Sequence, residues 1–84
     1  MDKNKYFRTA NFYAACYLFS RGLELVGINK DNPQKCEFVF IDIPEREILL
    51  AAFNFGKENS PEMMVDFRKA VLAIRTLKDK LYQP

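Results

Sequence analysis

The stretch KCEFVFIDIP, residues 35–44, constrains the fold more than any other part of the chain. It reads as a β-strand, and alternation places Cys36, Phe38, Phe40 and Asp42 on one side and Glu37, Val39, Ile41 and Ile43 on the other. Both sides carry large apolar groups, so both demand cover. Leaving three such side chains in water forgoes roughly 1.5–3 kcal/mol each. A chain of 84 residues makes one domain, 1–84, with little interior to supply that cover. Yet 49% of its residues are hydrophobic, among them eight Phe and four Tyr. An apolar supply this large in so small a chain points to contact with a partner.

Upstream, Thr9 is placed to cap a first helix with Ala10 to Arg21 as its body and Gly22 as its left-handed stop. The apolar run FYAACYLF surrounds this helix, which predicts burial on most sides. LELVGINK, residues 23–30, is a strand alternating Leu23, Leu25 and Gly27 against Glu24, Val26 and Ile28. The turn residues of DNPQ then join it to KCEFVFIDIP as an antiparallel hairpin. Pro44, followed by Glu45 and Glu47, opens a second helix that stops at Gly56, with Ile48, Ala52 and Phe55 as one stripe. Ser60 is the expected cap of a third helix running to about Tyr82, with Met63, Phe67, Ala70, Ile74, Leu77 and Leu81 forming its seam. The expected fold is α+β: a small α-β-β-α-α domain with a two-stranded hairpin packed on helices. A lone hairpin has marginal stability and open edges. Either the helices wrap both its faces or two chains join hairpins, edge to edge or face to face, in a two-fold dimer; the homodimer is the one expected, with a shared four-stranded sheet as its specific form. Val39, Ile41, Ile43, Val65 and Leu72 are the candidate partner surface.

The chemistry available is narrow. There is no histidine, which excludes Ser-His and Cys-His nucleophiles and imidazole metal ligands. No glycine-rich phosphate loop or metal-ligand cluster is present in the sequence. No catalytic residue, metal, cofactor or small-molecule substrate is expected. Cys16 and Cys36 read as packed, reduced thiols; a redox pair requires the first helix and the strand to bring them together. The longest apolar run, residues 12–19, falls short of the ~20 residues a membrane helix needs. The polar start MDKNKYFRT lacks a leader pattern, so no membrane partner and a cytoplasmic location are expected.

The net charge of +2 is small, but its distribution is uneven. Residues 1–35 carry six basic and three acidic groups, residues 36–62 two and six, and residues 63–84 five and two. Basic ends around an acidic middle fit either complementary packing or a basic patch facing nucleic acid. Arg8, Arg21, Arg68, Lys69, Arg75 and Lys78 are the candidate contacts for the latter, with Arg68 and Arg75 on one helix flank.

The segments YFRTANFYAACYLFSRGLELVGI, CEFVF and FRKAVLAIRTLK together resemble a family of short, uncharacterised bacterial and phage-associated domains. Thr9, Tyr13, Ala14, Ala15, Arg21, Gly22, Gly27, Phe38, Phe40, Arg68, Leu77 and Lys78 carry the resemblance. Asn11 stands where the family pattern has an aspartate, which removes a carboxylate but keeps a capping side chain. The resemblance implies a phage or mobile-element setting and transfers no activity. The reading that follows is a non-enzymatic binding or adaptor module acting as a homodimer, with a nucleic-acid-binding accessory protein as the alternative.

Overall fold

A computed structural model describes residues 5–57 and 60–83. The chain starts with a strand that the sequence reading did not anticipate, β1 (Tyr6–Thr9). The first helix, α1 (Phe12–Ser20), is capped by Asn11, whose Oδ1 accepts from the Ala14 N–H at 3.1 Å. Thr9 is not the cap. Its Oγ1 accepts from the Asn11 N–H, bending the chain between strand and helix. The helix is enclosed as expected, with the five residues Ala14 to Leu18 buried. Its end is a Schellman turn: Gly22 has φ +102°, its N–H bonds Phe19 O, and Leu23 N–H reaches back to Leu18 O. Leu18 and Leu23, the apolar pair of that turn, both join the core.

Strands β2 (Leu25–Asn29) and β3 (Glu37–Ile41) form the expected antiparallel hairpin. β1 adds to the far side of β3, giving a three-stranded antiparallel sheet in the order β1-β3-β2. The fold is α+β, with β3 central and both its edges occupied. β1 opposes Phe7 to Phe40 and Arg8 to Val39. In β2, Leu25 opposes Phe40 and Gly27 opposes Val39, leaving Val26 as the extra residue of a bulge. The bulge corrects the expected alternation: Leu25 and Ile28, not Leu25 and Gly27, share the core side.

The second helix, α2 (Glu45–Phe55), starts at Pro44 and keeps Glu45 and Glu47 in its first turn, where the helix dipole favours them. Its buried side is not the stripe predicted from spacing. Ile48 and Phe55 are 64% and 85% exposed, while Leu49 is buried and Phe53 packs on the core. The helix is therefore covered on one side only. Gly56 ends it with an extended backbone, at a position where an added Cβ would lie 2.5 Å from Ala52 O and only glycine fits without a shift.

The long third helix is divided. Pro61–Met63 form a single 3₁₀ turn, the backbone is extended at Met64 and Asp66, and α3 (Phe67–Leu81) begins afresh. The α3 cap is Asp66, which accepts from the Arg68 N–H at 2.8 Å, rather than Ser60. The Tyr17 hydroxyl donates to Glu62 O, giving that carbonyl a partner from α1 in place of a continuing helix. The expected seam is accordingly rotated. Ala73 and Leu77 are buried at its centre, Ala70, Ile74 and Leu81 flank them, and Phe67 is 79% exposed.

Phe38, Phe40, Leu18, Leu23, Leu49, Ala73 and Leu77 belong to one core cluster to which all three helices contribute. The helices therefore pack on the Phe38/Phe40 side of the sheet and do not wrap both faces. Extents of 37 × 34 × 19 Å fit one helical layer on one sheet.

Candidate partner surface

The side of the sheet away from the helices is built from alternate residues of each strand. β1 contributes Tyr6 and Arg8, β3 contributes Glu37, Val39 and Ile41, and the β2 bulge contributes Val26 and Gly27. Tyr6 and Val26 are 49% and 53% exposed. Val39 and Ile41 are half-buried, opposed on β1 by Arg8 and Tyr6. Phe38 and Phe40, one residue away on either side of Val39, are almost fully buried. The two faces of KCEFVFIDIP thus have different fates: one is the core and the other is open apolar surface.

Of the other candidate partner residues, Val65 and Leu72 belong to the helical layer. Ile43 follows β3 and is 37% exposed, beside Asp42, Pro44 and Arg46. Val65 is half-buried between the 3₁₀ turn and α3 and packs on the core. Leu72 is exposed on α3, turned away from the buried Ala73–Leu77 side, and so lies on the outer surface of the helical layer. Val39 and Ile41 stand together on the open side.

The basic candidates separate into distinct places. Arg8 is on the open sheet face opposite Val39. Arg21 and Lys69 meet with Asp66 around a shallow hollow of about 230 Å³ where α1 ends and α3 begins. Arg68 and Arg75 share a flank of α3, as their spacing predicts, and border a hollow of about 390 Å³ with Phe67, Val71 and Leu72. Lys78 and Lys80 occupy the last turn of α3, where the helix dipole favours positive charge. Lys3 lies outside the described residues.

One polar constellation escaped the sequence reading. Arg46, at the start of α2, makes two bonds to the Asp42 carboxylate, 3.0 and 3.2 Å, and its guanidinium lies 4.3 Å from the centre of the Phe7 ring. The bond from Arg46 holds the Asp42 carboxyl below its ordinary value. These contacts tie α2 to both β1 and the end of β3. The i, i+4 spacing of Asp42 and Arg46 was visible, but the aromatic partner became apparent only with β1 in place.

The two cysteines are free and line different clefts. Cys16 is buried in α1 at a small apolar cleft with Tyr17, Phe53 and Met63, and desolvation raises its thiol to about 11. Cys36 is half-buried just before β3. Among the described residues, no group of three or more His, Cys, Asp or Glu side chains is placed to hold a metal, and no helix is long and apolar enough to cross a membrane.

The fold and its open face define a small α+β domain without an assigned chemistry. The chain belongs to the DUF5659 family, a domain of unknown function, whose pattern matches residues 4–83. No curated protein and no solved structure matches it.

Proposed function

We propose that the protein is a small non-enzymatic binding or adaptor module that works as a homodimer in the cytoplasm. The observation that supports this reading is the sheet left open by its own helices, with Tyr6, Val26, Val39 and Ile41 on the uncovered side. The open face is small. Three strands about 4.8 Å apart and some 17 Å long fall well below the ~800 Å² per partner of a stable interface. A second copy enlarges it into a surface of useful size. Light scattering on a sizing column over a dilution series tests the reading: a mass of twice 9.8 kDa supports it, and 9.8 kDa at every concentration contradicts it.

A second reading, a nucleic-acid-binding accessory protein of phage or mobile-element origin, draws on Arg68 and Arg75 beside the exposed Phe67 ring. The separation of Arg8, Arg21 and Lys69 from that pair weighs against it. Binding to a 20-nucleotide single strand that falls steeply with salt and disappears in Arg68→Ala/Arg75→Ala favours this second reading. Absence of salt-sensitive binding removes it.

A further inference from the structure

The two edges of the sheet are not equivalent. The β2 edge is interrupted by the bulge at Val26 and Gly27, a device that discourages strand addition. β1 is short but regular, pairing residue for residue with β3 from Tyr6 to Thr9. Among the described residues no strand lies on its other side. The direction of its backbone groups follows from one bond: Asp42 N–H donates to Lys5 O at 2.7 Å. In an antiparallel ladder the inward-bonding residues alternate, so Lys5, Phe7 and Thr9 bond to β3. The N–H and C=O groups of Tyr6 and Arg8 therefore face outward, with no strand beside them among the described residues.

We propose that β1 is the joining edge of the homodimer, pairing antiparallel with β1 of a second copy across a two-fold axis at Phe7. This inference rests on the dimeric reading above and supplies its interface. Two-fold symmetry and the common helical side of both sheets restrict the registers to those that oppose residues of the same face. Centring on Arg8 sets arginine against arginine, a like-charge pair that destabilises a sheet. Centring on Phe7 sets Tyr6 against Arg8 of the second copy, twice. That register uses all four outward N–H and C=O groups of each strand in two mutually bonded pairs. It also places a guanidinium beside a phenol ring on the open face, a favourable cation–π pairing. The product is a six-stranded sheet with all six helices on one side and a continuous open face about 29 Å across.

Two variants test the register. Proline at position 8 removes an outward N–H and leaves the bonds to β3 intact, as edge strands permit. Arg8→Pro is expected to keep the wild-type circular dichroism and to run at half the wild-type mass at equal concentration. The second variant carries Tyr6→Cys and Arg8→Cys together with Cys36→Ser. Opposed hydrogen-bonded residues lie about 5.5 Å apart at Cα, within disulfide range, so mild oxidation is expected to yield a covalent dimer. A wild-type dimer with a folded, still dimeric Arg8→Pro overturns the β1 edge and leaves the homodimer standing. If Arg8→Pro fails to fold, the cysteine variant decides: a covalent dimer supports the edge, and none overturns it. A wild type monomeric at every concentration overturns this inference and the dimeric reading together.

Discussion

Phe40 and Val39 are neighbours in sequence with opposite roles, and substituting each in turn measures the difference. Phe40 is 0% exposed, in the core with Leu18 and Leu77, the other two largest fully buried side chains. Phe40→Ala removes a buried ring and leaves a cavity, at a cost of about 3–5 kcal/mol. Total stability for a chain of this size is on the order of 4–13 kcal/mol, so the loss is a large fraction of the whole. At roughly 4–8 °C per kcal/mol, Tm falls by at least about 12 °C. Val39 is half-buried between β1 and β2 on the open side. Val39→Thr keeps the β-branched shape and lets the hydroxyl meet water, so it costs about 1 kcal/mol or less. Urea denaturation and thermal melts, followed by circular dichroism at one protein concentration, read both numbers. Equal losses for the two variants refute the assignment of one closed and one open face.

Three further outcomes follow from individual contacts. At pH 8 a thiol raised to about 11 is ionised to roughly one part in a thousand, so Cys16 is expected to resist a thiol reagent in the folded protein while Cys36 reacts; fast labelling of two thiols contradicts this. The lowered carboxyl of Asp42 stabilises the fold above the ordinary aspartate range and loses that contribution as pH falls through the lowered value. Asp42→Asn therefore reduces stability at pH 7 by about 0.5–1 kcal/mol, with the gap to wild type closing in acid, as urea titrations across pH 2–7 would show. Gly22 sits at φ +102° in open space, so Gly22→Ala costs about 1–2 kcal/mol through backbone strain alone, whereas Gly27→Ala changes stability by less than about 0.5 kcal/mol in the same melts.

Much of the helical layer was legible in local chemistry. Gly22, Pro44 with its two glutamates, Gly56 and the enclosed FYAACYLF segment each act within a turn or two of their own position. β1 was not legible in this way. YFRT is four residues long, and its partners in β3 lie some thirty residues away. Thr9 and Asn11 both carry capping chemistry, so nothing local separated a strand end from a helix start. The bulge at Val26 shifts the phase of β2 midway, which a fixed two-residue period cannot follow. In α2, apolar residues on every side left the buried face open; Arg46 docking on Phe7 ties the start of the helix to β1. The seam predicted from Met63 to Leu81 kept its spacing across a break at Met64–Asp66, where periodicity carries no information about the backbone.

The open face was legible only in part. Val39 and Ile41 stood out because β3 carries apolar groups on both sides, and the structure puts them together on the uncovered side. Tyr6 and Val26, their exposed companions, depended on β1 and on the bulge. Val65 and Leu72 were chosen because they left the predicted seam; Leu72 is exposed on α3, whereas Val65 lies in the break before that helix and packs on the core.

Amide hydrogen exchange along β1, read residue by residue by NMR, tests the central claim most directly. The amides of Phe7 and Thr9 bond to β3 and are expected to exchange slowly at every concentration. Those of Tyr6 and Arg8 point to the edge, so slow exchange there requires a second strand. The account predicts protection at Tyr6 and Arg8 that grows with protein concentration in step with the dimer. Free exchange at both amides under conditions where the protein is dimeric would contradict the β1 edge, and free exchange in a protein that never dimerises would contradict the homodimer itself.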